Sequence, residues 1–527
     1  MEILAEARRA GRNTIGDALR RAAMNFRDGP ALHFAGRDWS FRALDRGASR
    51  IARRLLAWGL VKGDRIIAYG RNSDAYFLLW LGCARAGLVH VPANYALTAS
   101  ELEYVGRQSG AVALIHDPSL AANAGTAAAS CAIARIGTFH ADGELDVLRT
   151  ALDPGWDEDP AAPLGEDVSD TDIAQILYTS GTTGLPKGAA HTHQALIAQY
   201  ASCIVAFRYA RTDRCLAALP LYHTAQMHAF CMPQMTMGAE QWLIESPAPA
   251  ESLALIERHR INSFFAPPTV WISFLRHPDF ATRDLSTLKN IYYGASIMPG
   301  PIIQELRQRL PGAQPFHAYG QTEIAPLATV LLPEEHDARP NSVGRPVLHV
   351  MSRVVDAEMK DCAPGQHGEI VHRSPQLLRE YWDKAAETAE VFAGGWFHSG
   401  DIGYMDEDGY FYIVDRVKDV INTGGVLVAS REVEDALFTH PSVSEVAVIA
   451  LPDPRWIEAV TAVVVLRPGA AADEETLIAH ARQTLAPYKV PKKVIFADSL
   501  PKNTAGKLLK RELRVIYAGQ GSAVMGA

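Results

Sequence analysis

Apolar residues early in the chain recur at two alternating periods. From Arg37 a short extended stretch passes into one whose apolar positions, Leu44, Ala48, Ile51, Ala52 and Leu55, fall on one helical face. Residues 65–69 then read as a strand, 74–86 as a helix and 88–92 as a strand. Such alternation predicts a largely parallel sheet covered by helices. Residues 173–178 and 193–200 predict a further strand and helix, and a second α/β rhythm runs from Cys215 to Phe316. Residues 117–170 are rich in Ala, Gly, Pro and Asp and show little period, so 153–170 is expected to be a long surface connection. From Ile370 to Val414 the pattern is β-rich, with Asp406-Glu407-Asp408-Gly409 as a turn. Beyond Asp415 a compact β/α stretch ends in a basic segment, Lys502 to Arg514.

Length and composition sharpen this picture. A chain of 527 residues exceeds one ordinary core, so at least two domains are expected, 1–414 and 415–527. A hydrophobic content of 48% with 21% charge is that of a soluble globular protein. The net charge of −8 disfavours nucleic-acid partners and a basic membrane surface. The best apolar run, Tyr76 to Val91, is interrupted by Arg85, so no transmembrane segment is expected. Cys83, Cys131, Cys203, Cys215, Cys231 and Cys362 form no C-x-x-C pair and read as buried small hydrophobes in a reducing compartment. Several Arg mixed with Glu2, Glu6 and Asp17 predict an amphipathic N-terminal helix, with a transit peptide as the alternative; the expected location is cytoplasmic.

The candidate chemistry centres on Thr179-Ser180-Gly181-Thr182-Thr183-Gly184-Leu185-Pro186-Lys187-Gly188, set between the strand at 173–178 and the helix at 193–200. Its glycines allow sharp bends and close approach to a ligand. Its hydroxyls and Lys187 supply donors and charge for an anion, as in a phosphate cradle. It is not a Walker loop, because Pro186 precedes Lys187 and Gly188 follows it. An ordinary surface loop rich in Gly and Thr is the plainer reading of any one such cluster.

This stretch resembles the signature loop of the adenylate-forming superfamily, which includes acyl-CoA and aryl-CoA synthetases, amino-acid adenylation domains and luciferases. Gly87 to Leu102 resembles that family's early core motif. The resemblance implies a large N-terminal domain of stacked α/β subdomains plus a β-rich subdomain, and a small, mobile α+β C-terminal domain. It also implies ATP, Mg²⁺ and coenzyme A as cofactors and co-substrates, with Thr179, Ser180, Gly181, Thr182, Thr183, Gly184 and Lys187 on the ATP phosphates. His317-Ala318-Tyr319-Gly320-Gln321-Thr322-Glu323 resembles a second motif. It implies Tyr319 and Gly320 against adenine, Thr322 on the α-phosphate, and Glu323 with Thr179 on the metal, while Gly294, Ala295 and Ser296 border the nucleotide. Asp401, followed by Asp415-Arg416-Val417-Lys418-Asp419, resembles a third. There Asp401 would hold the ribose, Arg416 and Lys418 would contact ribose or phosphate, and Asp415 would be the hinge between two half-reactions. Pro501 to Lys507 resembles the C-terminal catalytic loop, making Lys507 the lysine of adenylate formation.

The acid and the acceptor follow from the same comparison. Amino-acid adenylation domains carry an Asp where this chain has His223, so an ammonium-bearing substrate is disfavoured. The implied acid pocket is His223, Met227, Phe230, Ala295 and Ala318, with His223 bordering the carboxylate; a satisfied core histidine is the alternative. Gly424 and Gly425 resemble the glycines lining the pantetheine passage of fatty acyl-CoA synthetases. Val426, Leu427 and Ser430 depart from the family, which often has Glu, then Asn or Trp, and Pro at these positions. The expected activity is that of an AMP-forming fatty-acid–CoA ligase for medium or long chains. An aryl-CoA ligase is the alternative, and a non-catalytic acyl-nucleotide binder is disfavoured by the joint presence of Thr179, Glu323, Asp401 and Lys507. A homodimer is left open.

Overall fold

A computed structural model describes residues 7, 10–157, 164, 167–179, 185–296, 298–416, 419–423, 426–453, 456–503 and 508–518, with the backbone alone for Arg416 and Leu427. Among these residues the strands form four sheets, three in the first 416 residues and one beyond.

The first sheet has seven strands, in the order Glu380–Tyr381, Lys187–Thr192, Ile173–Thr179, Val89–Ala93, Arg65–Tyr69, Ala113–His116, Arg135–Thr138. The last four pair in parallel, as the early βαβ rhythm predicts. The second rhythm becomes the parallel core of a nine-stranded sheet, including Asn290–Gly294 beside Gln314–Gly320, with antiparallel Leu327–Leu331 outside them. A four-stranded antiparallel sheet follows, ending in Phe397–Met405 and Phe411–Arg416. Its connecting turn is built as expected: Asp406 Oδ1 accepts from the Asp408 and Tyr410 amides, and Gly409 takes a positive φ of 82°.

Helix Phe41–Ala57 buries its predicted face, with Leu44, Ala48, Ile51, Ala52 and Leu55 at 1% exposure or less. Each buried Leu or Ile contributes about 1.5–3 kcal/mol, and Leu55→Asp would put an unpaired carboxylate into that interface. Ser40 Oγ caps the helix by accepting the Ala43 amide at 3.1 Å. Helix Asp74–Ala86 is buried on every side, so its sequence carries no polar stripe. Arg85 within it is a paired core charge, donating to Asp45 Oδ1 and Ser49 Oγ at 2.6 Å each. Among the described residues no helix is long and apolar enough to cross a membrane. The amphipathic N-terminal helix is found at Ile15–Phe26, capped by Thr14.

Two expectations need correction. Residues 117–170 are not uniformly irregular: Ala121–Ser130 is a helix and Arg135–Thr138 a strand. The helix buries Ala124, Ala127 and Ala128, and an alanine face gives almost no contrast with neighbouring Ala and Gly. Cys131 and Cys362 are half-buried rather than core residues. Cys131 lies just past that helix, and Cys362 in the connection between strands Met351–Val355 and Gly368–Arg373.

The small C-terminal sheet has Val426–Val428, Ile421–Thr423, Ile457–Leu466 and Val443–Asp453 in that order, with Lys493–Phe496 added in parallel. Helices Ser430–Phe438, Glu474–Ala481 and Lys510–Tyr517 accompany it. Asp415 lies inside strand Phe411–Arg416 rather than after it.

Candidate active site

The phosphate-cradle sequence is mounted on an antiparallel ladder. Thr179 ends one strand and Lys187 begins the next, and the two stand directly opposite each other. The Thr179 hydroxyl donates to the Lys187 carbonyl at 3.5 Å. Ser180, Gly181, Thr182, Thr183 and Gly184 lie outside the described residues. Lys187 Nζ stands 5.1 Å from the centre of the Tyr381 ring, a cation–π distance.

Tyr381 joins this lysine to the second motif. Its hydroxyl donates to Glu323 Oε1 at 2.9 Å, and burial, then the neighbouring carboxylate, push the phenol pKa far up, so it remains a donor. Glu323 sits in the single turn Thr322–Ile324, and its carbonyl accepts the Leu378 amide at 2.7 Å. One carboxylate oxygen is thus engaged by Tyr381. The Thr322 hydroxyl lies 3.3 Å from that of Thr224. Beneath it, burial lowers the His191 pKa to about 4, against the opposing effect of a Thr322 backbone group.

Strand Gln314–Gly320 delivers the rest. Tyr319 donates to Asp401 Oδ2 at 2.7 Å, tying the proposed adenine and ribose residues together. Asp401 and Arg416 are register partners across adjacent strands, so the Arg416 backbone reaches the same edge. Gly294 and Ala318 are also paired, and a Cβ on Gly294 would lie 2.3 Å from the Ala318 carbonyl oxygen. A Cβ on Gly320 would stand 1.9 Å from the Pro326 oxygen. Only glycine fits either place. Ala295 follows at φ 63° and is exposed, and Ser296 is half-buried.

The proposed acid-pocket residues divide. His223 is half-buried with its ring 4.7 Å from that of Tyr222. After Thr224 the chain forms a π-helix, Ala225–Cys231, a form concentrated at functional sites. Met227 and Phe230 on it are buried, and Phe230 stacks on Phe265 with centroids 4.2 Å apart. Ala225 and Ala318 pack against the same aromatic cluster. Through His228 of the π-helix runs a buried polar chain. Tyr200 donates to His228 Nδ1 at 2.8 Å, His228 Nε2 to Gln175 Oε1 at 2.7 Å, and the Gln175 amide to His90 Nδ1 at 2.9 Å.

Asp415, the candidate hinge, is buried, and its Oδ2 accepts from the Ser430 amide at 2.6 Å and hydroxyl at 2.8 Å. Lys418, Gly424, Gly425 and Lys507 lie outside the described residues, as does the Arg416 side chain. Sequence reasoning missed Tyr381, Thr224, His191 and Lys510. Tyr381 is 58 residues from the carboxylate it serves, and no local spacing marks it.

Comparison with known proteins identifies the family and the fold. Residues 19–382 match the family of AMP-binding enzymes, and 432–507 match the AMP-binding enzyme C-terminal domain. A feruloyl-CoA synthase of Amycolatopsis is 37% identical over 484 residues, 92% of this chain and 95% of that protein. A long-chain-fatty-acid–CoA ligase of Bacillus subtilis is 33% identical over 528 residues, 95% of this chain and 94% of that protein. ATP-bound MatB from Rhodopseudomonas palustris superposes with a TM-score of 0.88, at 31% identity, covering 96% of this chain and 100% of that one. Apo MatB, at the same identity and coverage, gives 0.77.

Proposed function

Since the chain belongs to the AMP-binding enzyme family and is an AMP-forming acid–thiol ligase, we propose that its acid is an apolar carboxylate, a medium-chain fatty acid first. The observation that carries the nucleotide half of this reading is the linked set Lys187, Tyr381 and Glu323, beside the Tyr319–Asp401 pair. It provides a cation, an acceptor carboxylate, a flat ring and a second carboxylate to accept from the ribose.

In the first half-reaction the acid carboxylate attacks the α-phosphorus of ATP in line, the bond to the β-phosphate breaks, and pyrophosphate leaves. Thr179, Lys187 and the hydroxyls between them neutralise the departing charge, while Thr322 donates to the α-phosphate. Glu323 keeps one carboxylate oxygen beyond Tyr381, which fits Mg²⁺, a cation held by one or two carboxylates plus substrate phosphates. Bound there with Thr179, Mg²⁺ would supply further charge neutralisation for pyrophosphate. Lys507 would neutralise charge gathering on the α-phosphate. In the second half-reaction the thiol of coenzyme A, entering past Gly424 and Gly425, attacks the acyl carbonyl and AMP departs.

The pocket floor bears on acid size. Of the residues proposed to line it, Phe230 is stacked against Phe265 inside the aromatic cluster and Met227 is fully buried in the core. That favours a compact acid over a very long chain and makes an aryl acid the second reading. Pyrophosphate release across straight-chain acids, benzoate, cinnamate and leucine tests both. Each methylene that fits contributes about 0.8 kcal/mol, so kcat/KM should rise with chain length and then fall. Preference for cinnamate over every alkanoate moves the reading to aryl acids, and good use of leucine overturns the pocket argument.

A further inference from the structure

One carboxylate at the junction of the two regions is gripped from the far side. Asp415 stands opposite Ile402 in the four-stranded sheet, yet its Oδ2 takes both donors of Ser430, the first residue of helix Ser430–Phe438. The helix has no side-chain cap from Ala429, so a carboxylate from another sheet serves its N-terminus. The Ser430 hydroxyl in turn accepts from Lys510 Nζ at 2.6 Å, and the same ammonium pairs with Glu434 Oε1 at 2.8 Å. Lys510 begins the last helix among the described residues, directly after a stem in which Lys502 bridges Leu508 and the Leu509 amide bonds the Pro501 carbonyl at 2.9 Å. Arg431 adds a second crossing, donating to the Ile413 carbonyl at 2.6 Å. A proline at 430, as the family resemblance anticipates, has neither the amide proton nor the hydroxyl that this arrangement uses.

We propose that Ser430 is a positioning residue, a latch that couples the Asp415 hinge to the Lys510 stem and favours adenylate formation over thioester formation. The proposal rests on the two-half-reaction reading above. The whole chain superposes better on ATP-bound MatB than on apo MatB, so the arrangement held by the latch is the one nearer the ATP-bound form of that relative. Proteins whose hinge lacks these bonds would pass between arrangements without breaking them.

Ser430→Pro is a clean probe. Proline is tolerated at the first position of a helix, and Ala429 at φ −71°, ψ 119° already has the extended conformation that must precede it. Two rates are measured: acid-dependent ATP–pyrophosphate exchange, and CoA-dependent AMP release from supplied acyl-adenylate. Ser430→Pro is expected to lower the ratio of the first to the second about tenfold, the scale of one hydrogen bond to a charged group. Ser430→Ala and Lys510→Gln should lower it less, and Ser430→Thr, which keeps both donors, should leave it unchanged. A ratio within about twofold of the parent in Ser430→Pro, or in Ser430→Ala and Lys510→Gln should the proline variant not fold, overturns the latch. Small-angle scattering of the substrate-free protein reads the latch independently of turnover. Ser430→Pro should broaden the distribution of domain arrangements even if no acid tested proves to be a substrate, and superposable curves overturn the proposal.

Discussion

Tyr381 holds Glu323 through its hydroxyl and Lys187 through its ring, so one side chain spaces a cation from a carboxylate. Tyr381→Phe keeps the ring and deletes the bond. A hydrogen bond to a charged group is worth about 1.5–3 kcal/mol, so pyrophosphate exchange should fall about tenfold or more, with a shifted Mg²⁺ dependence. Tyr381→Ala should be worse than Phe. Equal rates for the parent and Tyr381→Phe would show that the hydroxyl does not orient Glu323.

The pairing of Gly294 with Ala318 predicts a steric effect. Gly294→Ala places a methyl 2.3 Å from a backbone oxygen that has no rotamer to escape into. A loss of about 1–3 kcal/mol is expected, read as a lower unfolding midpoint, together with reduced adenylation. Gly300→Ala is the control, because nothing lies within 4 Å of its added carbon.

Several buried histidines make the fold acid-sensitive. Burial lowers the pKa of His191, His193 and His372 to about 4, and of His90 and His317 to about 3, from an ordinary 6.5. These groups are neutral in the folded protein, whereas the unfolded chain takes up their protons below about pH 6.5. Stability is therefore retained above that pH and lost as the pH falls toward 4, each such group costing on the order of 3 kcal/mol at the acid limit. Thermal midpoints between pH 7.5 and pH 4.5 test this, and His90→Gln should flatten the acid limb. A midpoint independent of pH across that window would contradict the assignment.

Ala225 and Ala318 face the aromatic cluster that contains Phe230. Ala225→Leu should cut kcat/KM for large acids about tenfold or more while sparing small ones, on the scale of overpacking. This site is preferable to Ala295, where a positive φ of 63° would add backbone strain to any bulky replacement. A uniform loss across all acids would mean that Ala225 supports the fold without bordering the acid.

Periodicity was legible wherever an element contrasts with its surroundings. Helix Phe41–Ala57 shows its buried face openly, whereas Ala121–Ser130 hides its own because alanine lies on every side. The residues proposed to hold the nucleotide, Thr179, Lys187, Tyr319 and Asp401, stand out in the sequence because each sits in a short, ordered motif. Tyr381, Thr224 and Lys510 do not, since each meets a partner distant in sequence and brought close only by tertiary packing. Ser430 was visible as a departure from the family, but its two bonds to Asp415 belong to the folded chain.

The buried series Tyr200, His228, Gln175, His90 has a polarity of its own. Each member donates to the next, so both imidazoles carry their proton on Nε2, and the order cannot be reversed without turning the central amide over. Gln175→Glu would replace the one donor that His90 Nδ1 accepts with a carboxylate. His90 would then have to change tautomer or take up a proton in the core. A single amide thus acts as a rectifier, keeping two core histidines, one of them on the π-helix itself, in one electronic form.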